Sequence, residues 1–271
     1  MEALNAPPID SVNYVIKNDG LRINVNAHDP SNKVQYYRWS YAETYKIHAV
    51  YSSVVELFHV PKDTIMNRPL NDRVYSCWRF DTSSTINVAS TAKLTHSVIT
   101  QNELTNIASS SEKIGDRYSI LVTQYALTAD GFNYWQQLKK NTEQLGSIFD
   151  AQPSALTGNI HCVTNPSEPV IGFISVGATT QMRIYIDTHQ LPAWAAAPYT
   201  TGCSLPPQPF LYVNKAGTNE VAAFLYPGFA FPVGVIQPPG SPILGFTATD
   251  RICADCTLRG TNKQPAFWID Y

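Results

Sequence analysis

The sequence predicts a mainly β protein: an Ig/fibronectin-III-like antiparallel β-sandwich with one amphipathic helix and a proline-rich, loop-rich C-terminal region. Apolar and polar residues alternate in several short runs, which is the period of strands with one buried face. Only 15% of the residues are charged, compared with about 25% in an average protein. Eleven of the nineteen prolines lie between Pro192 and Pro265, where regular structure is expected to thin out.

The clearest strand patterns lie in the first half of the chain. Leu21, Ile23 and Val25 alternate with polar residues, and the aromatic-rich residues 36–47 predict a second long strand. Residues 36–41 are predicted to fill the core between two sheets, with an aromatic ligand-stacking face as the alternative. The further predicted strands are residues 74–80, 86–89, 117–127, 158–163, 170–176 and 180–187.

One helix is predicted from about residue 129 to residue 145. Thr128 is a suitable N-cap and Gly146 a suitable end. Apolar residues recur at helical spacing, which predicts that the helix packs on a sheet. These residues are Phe132, Trp135, Leu138 and Leu145.

Composition divides the chain near residue 190. Residues 1–190 are predicted to form the β-sandwich with inserted loops and the helix, and residues 191–271 a proline-rich, cysteine-containing extension packed on the same domain. Residues 6–11 resemble an interdomain linker that runs into a strand. We therefore expect the chain to be a fragment of a longer protein with an upstream export signal and domain.

The charge pattern argues against several classes of function. The net charge is -2, and basic and acidic residues are scattered singly, so no surface is predicted for nucleic acid. Residues 221–236 are apolar, but their prolines and glycines argue against a membrane-spanning helix and favour extended loop or edge strands. No catalytic residue, metal site or cofactor is predicted, since the six histidines are dispersed and no catalytic motif is found.

Five cysteines suggest a structural disulfide in an exported protein. The candidates are Cys203, Cys253 and Cys256, with Cys203 bonded to one of the other two and the odd cysteine unpaired. The Cys253-x-x-Cys256 spacing also occurs in redox proteins. It lacks here the strand-to-helix setting that lowers a thiol pKa.

Three aromatic residues in the apolar segment 221–236 are candidates for a binding surface. Tyr226, Phe229 and Phe231 would form a partner surface or the lip of a hydrophobic ligand site, because soluble monomers rarely expose so much contiguous apolar area. Burial under the sandwich is the alternative.

Several sequence strings resemble a known family. Residues 36–39 (YYRW), 77–78 (CW) and 140–150 (KNTEQLGSIFD) carry the resemblance, together with Glu43-Thr44 and His48. Further strings are 152–154, 156–160, 165–166, 169–172, the Cys253/Cys256 pair and 267–268. The chain resembles the C-terminal part of domain-of-unknown-function family 4249 (DUF4249).

This resemblance implies a location and a partner, but no chemistry. Members look like outer-membrane lipoproteins of Bacteroidota with an N-terminal lipid anchor, and the resemblance implies a link to TonB-dependent transporters. The expected function is a non-catalytic accessory or binding domain of a cell-envelope lipoprotein in nutrient uptake, beside an outer-membrane TonB-dependent receptor. Membrane contact would come only through the lipid anchor.

Two other classes of function remain open. A carbohydrate-binding module or glycoside hydrolase would need an exposed aromatic platform, for which the tryptophans are the candidates. A structural spacer domain would need neither a pocket nor an exposed apolar patch. The tryptophans are Trp39, Trp78, Trp135, Trp194 and Trp268.

Overall fold

A computed structural model provides the fold and describes residues 4–59, 61–143, 156, 158–194 and 202–270. Strands in several mostly antiparallel sheets dominate these ranges, which confirms the predicted mainly β sandwich. The strands are β1 (Leu4–Asn5), β2 (Ile9–Lys17), β3 (Gly20–His28), β4 (Tyr36–His48), β5 (Val55–Phe58), β6 (Thr64–Asn67), β7 (Ser76–Thr82), β8 (Asn87–Ser90), β9 (Val98–Ala108), β10 (Arg117–Ala126), β11 (Gly177–Asp187), β12 (Phe210–Leu211), β13 (Phe231–Ile236) and β14 (Gly245–Thr249). The α-helices are α1 (Ala129–Glu143) and α2 (Arg251–Ala254).

The strands form four sheets within the described ranges. The largest has the order β1-β11-β10-β4-β7, with β8 also paired to β4. The others have the orders β2-β3-β9, β12-β14-β13 and β5-β6. Strand β1 pairs with β11 in parallel, whereas β2 with β3, β3 with β9, and β13 with β14 are antiparallel.

The chain forms two compact units. The first contains residues 1–44, 81–110 and 118–194, and the second contains residues 45–80, 111–117 and 195–271. The division near residue 190 rests on composition and stays a prediction. No helix in the described part of the chain is long and apolar enough to cross a membrane.

Apolar side chains at alternate positions of β3 and β4 build the core of the first unit. Leu21, Ile23 and Val25 are completely buried. In β4 the side chains of Tyr37 and Trp39 are buried, so one face of the aromatic segment is core. On its other face, the Arg38 guanidinium carbon lies 4.1 Å from the ring centre of Tyr125.

Helix α1 begins as the sequence predicts. The Thr128 hydroxyl oxygen accepts a hydrogen bond from the backbone N–H of Gly131 at 3.1 Å, which makes Thr128 the N-cap. Phe132 is buried, with its ring centre 5.1 Å from that of Tyr36. Tyr134 is buried where the apolar spacing predicted Trp135. Leu145 and Gly146 lie outside the described residues.

Two predicted strands are wrong. Residues 158–163 and 170–176 contain no strand, and Val163, Ile171 and Val176 are 88%, 71% and 75% exposed. The Asn159 amide donates to the carbonyl of Ile174 at 2.7 Å and accepts from its N–H at 2.8 Å. This side chain satisfies backbone groups that a strand ladder would otherwise pair, since a short polar side chain can compete with a ladder for these groups.

Strand β9 was not predicted because bulges disrupt its alternation. Its buried apolar residues Ile99, Leu104 and Ile107 do not recur every second position. The register with β3 shifts twice, and each bulge moves the following side chains to the opposite face. The pattern that identifies a strand in a sequence is therefore lost.

The C-terminal region is more regular than its prolines predict. Strands β12, β14 and β13 form an antiparallel sheet. Residues 221–225 form a short π-helical turn where extended chain was expected, whereas 231–236 is the predicted edge strand. Val221, Leu225 and Phe246 are completely buried in one cluster with Val55 and Ile65, and burial of this apolar area stabilises the second unit.

Candidate functional site

Two disulfides join distant segments of the second unit. Cys77 on β7 is bonded to Cys256, 179 positions later. Cys203 is bonded to Cys253 in α2, 50 positions later. The Cys253-x-x-Cys256 cysteines thus pair with different distant partners, so neither is available as a redox pair with the other. Cys162 is a free, partly exposed thiol.

A cavity of about 450 Å³ lies in the second unit. Its walls come from strands β5 and β13, the loop after β6 and the segment around α2. The apolar part of the lining includes Leu57, Leu225, Phe231 and Pro232. The charged part includes Glu56, Arg68, Asp72, Arg251 and Asp255.

Arg68 is a buried arginine in the cavity wall, and one of its nitrogens has no hydrogen-bond partner among the described residues. Its side chain is 6% exposed, and its guanidinium lies 3.3 Å from the Glu56 carboxylate. It also donates to the carbonyl oxygen of Val55 at 3.1 Å. Within the described ranges its Nε has no hydrogen-bond partner, which is a costly state for a buried N–H group.

Arg251 and Asp255 form an ion pair on another part of the wall. The Arg251 Nε donates to an Asp255 oxygen at 2.8 Å, and the other Asp255 oxygen accepts from the backbone N–H of Thr257 at 2.9 Å. Asp255 is 2% exposed and Arg251 62% exposed. The buried carboxylate therefore holds an arginine whose terminal nitrogens remain accessible.

The three predicted binding aromatics have different surroundings. Phe231 lines the cavity, 5.7 Å from the Arg68 guanidinium carbon and 5.9 Å from that of Arg251. Tyr226 is half-buried and packs against the core cluster of Val221 and Leu225. Phe229 is 75% exposed and is not part of the cavity lining.

The raised pKa of Tyr226 predicts that the protein loses stability at alkaline pH. Burial, reinforced by a hydrogen bond with Tyr212, raises the pKa of Tyr226 to about 12 from its ordinary 10.0. Its contribution is fully present below pH 10 and is lost as the pH rises towards 12, because the unfolded chain ionises first. We expect the free energy of unfolding, measured with urea, to fall less steeply over this range in Tyr226→Phe. Identical slopes in the variant and the unmodified chain would contradict this.

A Ser–His–Asp hydrogen-bond chain was missed because its members are far apart in the sequence. The Ser76 hydroxyl lies 3.1 Å from His48 Nδ1, and His48 Nε2 lies 3.0 Å from Asp116. Acyl transfer would also need oxyanion donors beside a substrate site. None of the three residues lines the cavity of the second unit or a further cavity in the first unit. We therefore interpret these hydrogen bonds as a structural link between β4, β7 and the segment before β10.

Three of the five tryptophans are too buried to belong to an exposed platform such as a carbohydrate-binding module uses, whereas Trp135 and Trp194 are half-buried. Trp39, Trp78 and Trp268 are 1%, 6% and 5% exposed. The ring centre of Trp135 lies 4.4 Å from the Arg38 guanidinium carbon, so that ring is partly covered. In the second unit, Phe231 is the aromatic residue of the cavity lining.

The further cavity, of about 520 Å³, lies in the first unit. Its lining includes Tyr134 and Phe173, whose ring centres are 5.3 Å apart, and Ile174. Gly158 also lines it and follows directly after residues outside the described ranges. We assign it no role.

The comparisons with known proteins identify a family and no individual relative. The model of DUF4249, described as a domain of unknown function, matches residues 1–183. The strings at 253–256 and 267–268 that also suggested the resemblance lie after this match. Searches among curated proteins and among solved structures find no match. The match spans most of the sequence, and the chain belongs to the DUF4249 family.

Proposed function

We propose that the chain is a non-catalytic accessory and binding domain of an outer-membrane lipoprotein, associated with a TonB-dependent transporter in nutrient uptake. Membership of the DUF4249 family supports this proposal. The two disulfides also support it, because disulfides form and persist in oxidising compartments such as the bacterial cell envelope.

The exposed side chain of Phe229 is the observation that supports a partner-binding surface. A phenyl group that is 75% exposed leaves apolar area in water, and such residues are enriched in protein interfaces. The turn that presents it is well defined. Gly228, with a φ of 80°, donates from its N–H to the Leu225 carbonyl at 3.0 Å, and Ala230 donates to Phe224 at 3.2 Å.

Phe224 extends the apolar surface beside this turn. Its side chain is 46% exposed, and its ring centre lies 5.6 Å from that of Phe210. An ordered backbone lowers the entropy cost of presenting Phe229 to a partner. The turn therefore provides an aromatic anchor for docking on another protein.

Phe229→Ser is expected to abolish recovery of the transporter from outer membranes. The purified chain, immobilised on beads, should retain a β-barrel transporter from solubilised outer membranes of the source organism, identified by mass spectrometry. The serine variant should lose at least about tenfold of this recovery, because the anchor is removed while the core is left intact.

Leu70→Ser is the matched control for this experiment. Leu70 is an equally exposed apolar residue of the second unit, at 73%, outside the Phe229 turn. Its replacement should leave recovery unchanged, and circular dichroism should show that both variants fold. Recovery of no transporter by the unmodified chain, or equal losses in both variants, would refute docking through Phe229 and favour the spacer alternative.

A further inference from the structure

We propose that the cavity of the second unit binds a neutral sugar, with the face of a sugar ring against Phe231 and its hydroxyls bonded by the charged groups of the wall. This rests on the proposed binding role and adds the class of ligand. The site differs from a platform of tryptophans, because Phe231 is its aromatic element.

The cavity has the size and mixed lining of a small-molecule site. Its volume of about 450 Å³ falls within the range of roughly 300–1,000 Å³ that such sites occupy. Phe231 lies on β13 beside Pro232, and Leu57 and Leu225 line other parts of the wall. These side chains offer an apolar surface to the C–H groups of a ligand.

Two guanidinium groups lie over the ring of Phe231. The two arginine guanidinium carbons lie 5.7 and 5.9 Å from its centre. By contrast, Arg38 covers the ring of Tyr125 at 4.1 Å. The longer distances place the guanidinium groups around Phe231 without the close stacking seen at Tyr125. Aromatic rings bordered by planar charged side chains suit ligands that combine an apolar face with polar edges.

The cavity wall contains hydrogen-bond donors and acceptors that a ligand can use. The Nε of Arg68 is enclosed by the protein, whereas the side chain of Arg251 is 62% exposed. Arg251 uses its Nε for Asp255, so its terminal nitrogens can donate to a ligand. The Asn262 amide donates to the Arg73 carbonyl at 3.1 Å, and its own oxygen can accept from a hydroxyl.

The balance of charge favours a neutral ligand. Two arginines and three carboxylates line the cavity, so an anion meets Glu56, Asp72 and Asp255, and a cation meets Arg68 and Arg251. A wholly apolar ligand would desolvate these groups without replacing their hydrogen bonds. A polyhydroxylated neutral molecule can accept from the arginines and donate to the carboxylates, which is the chemistry of a sugar.

Saturation-transfer NMR on the purified full chain tests this assignment. The probes are D-glucose, D-galactose, D-mannose and D-xylose, each alone and as the β-linked disaccharide, with D-glucuronate as the anionic counterpart of glucose. We expect transfer to at least one neutral sugar and binding weaker by about tenfold or more in Phe231→Leu, which loses the ring. Phe231→Tyr keeps the ring and should retain binding within about threefold.

Two further variants separate the cavity from general effects of substitution. Phe229→Leu changes an exposed phenyl outside the lining and should bind as the unmodified chain does. Asn262→Leu removes a polar group from the wall and should weaken binding by about fivefold or more. It also provides the test if Phe231→Leu fails to fold by circular dichroism.

Three results would overturn the proposal: transfer to none of the neutral sugars, preference for D-glucuronate over D-glucose, or undiminished sugar binding in the folded cavity variants. The measurement contains no transporter. Failure of sugar binding therefore leaves docking through Phe229 standing, and a failed transporter recovery leaves sugar binding standing.

Discussion

Replacing Cys77 and Cys256 together by alanine should lower the free energy of unfolding by about 5 kcal/mol, the largest effect expected of any substitution proposed for this chain. The bridge closes a loop of sequence separation 179, and a cross-link over a long loop removes much entropy from the unfolded chain. Alanine is preferred to serine because both cysteines are completely buried and a hydroxyl would need a partner. Urea unfolding followed by tryptophan fluorescence measures the change.

The second bridge and the free thiol provide the controls. Removing Cys203–Cys253, whose sequence separation is 50, should cost about 4 kcal/mol on the same entropy model. Cys162→Ala should change little, because this thiol forms no bridge. Unfolding midpoints that stay the same after removal of either bridge, or under reducing conditions, would show that the disulfides do not hold the second unit together.

Trp39→Ala should destabilise the first unit by about 3–5 kcal/mol. Trp39 is 1% exposed, and its indole Nε1 donates to the Gln124 side-chain oxygen at 2.8 Å. Gln124 is completely buried and in turn donates to the Pro7 carbonyl at 2.8 Å. The substitution thus leaves both a cavity and an unpaired buried oxygen. Hydrogen exchange of the β4 and β10 amides, with urea unfolding, reports the loss.

Trp39→Phe separates the two contributions. The phenyl ring keeps most of the packing but cannot donate to Gln124, so a smaller loss of about 1–3 kcal/mol is expected. Trp135→Ala, on the partly exposed side of α1, serves as the control and should cost less than Trp39→Ala. A loss below about 1 kcal/mol for Trp39→Ala would contradict the central role of this residue in the core.

The fold was predictable where a local pattern survives folding. The alternation of Leu21, Ile23 and Val25 and the cap at Thr128 are present in the structure as the sequence indicates. The prediction failed at residues 158–163 and 170–176, where apolar residues are exposed and the Asn159 side chain takes up backbone hydrogen bonds. The apolar and β-branched residues of these segments met the local requirement for strands, but the segments did not pair with a partner strand.

The candidate site was less predictable than the fold. Spacing singled out Tyr226, Phe229 and Phe231 as one apolar surface, yet the structure places them in a core contact, an exposed turn and a cavity wall. The π-helical turn at 221–225 and Gly228 redirect the chain between them. The number of apolar residues in the segment predicts neither the π-helical turn nor the backbone conformation of Gly228, because both depend on how Val221 and Leu225 pack.

The sequence by itself determined the mainly β class, the capped helix and a disulfide-bearing C-terminal region, because these follow from residues a few positions apart and from composition. Only the tertiary structure decided that Cys77 pairs with Cys256, and that Arg68 and Arg251 border one cavity around Phe231. These contacts join segments far apart in the sequence. Sheet register and core packing bring such segments together, and no local preference encodes that outcome.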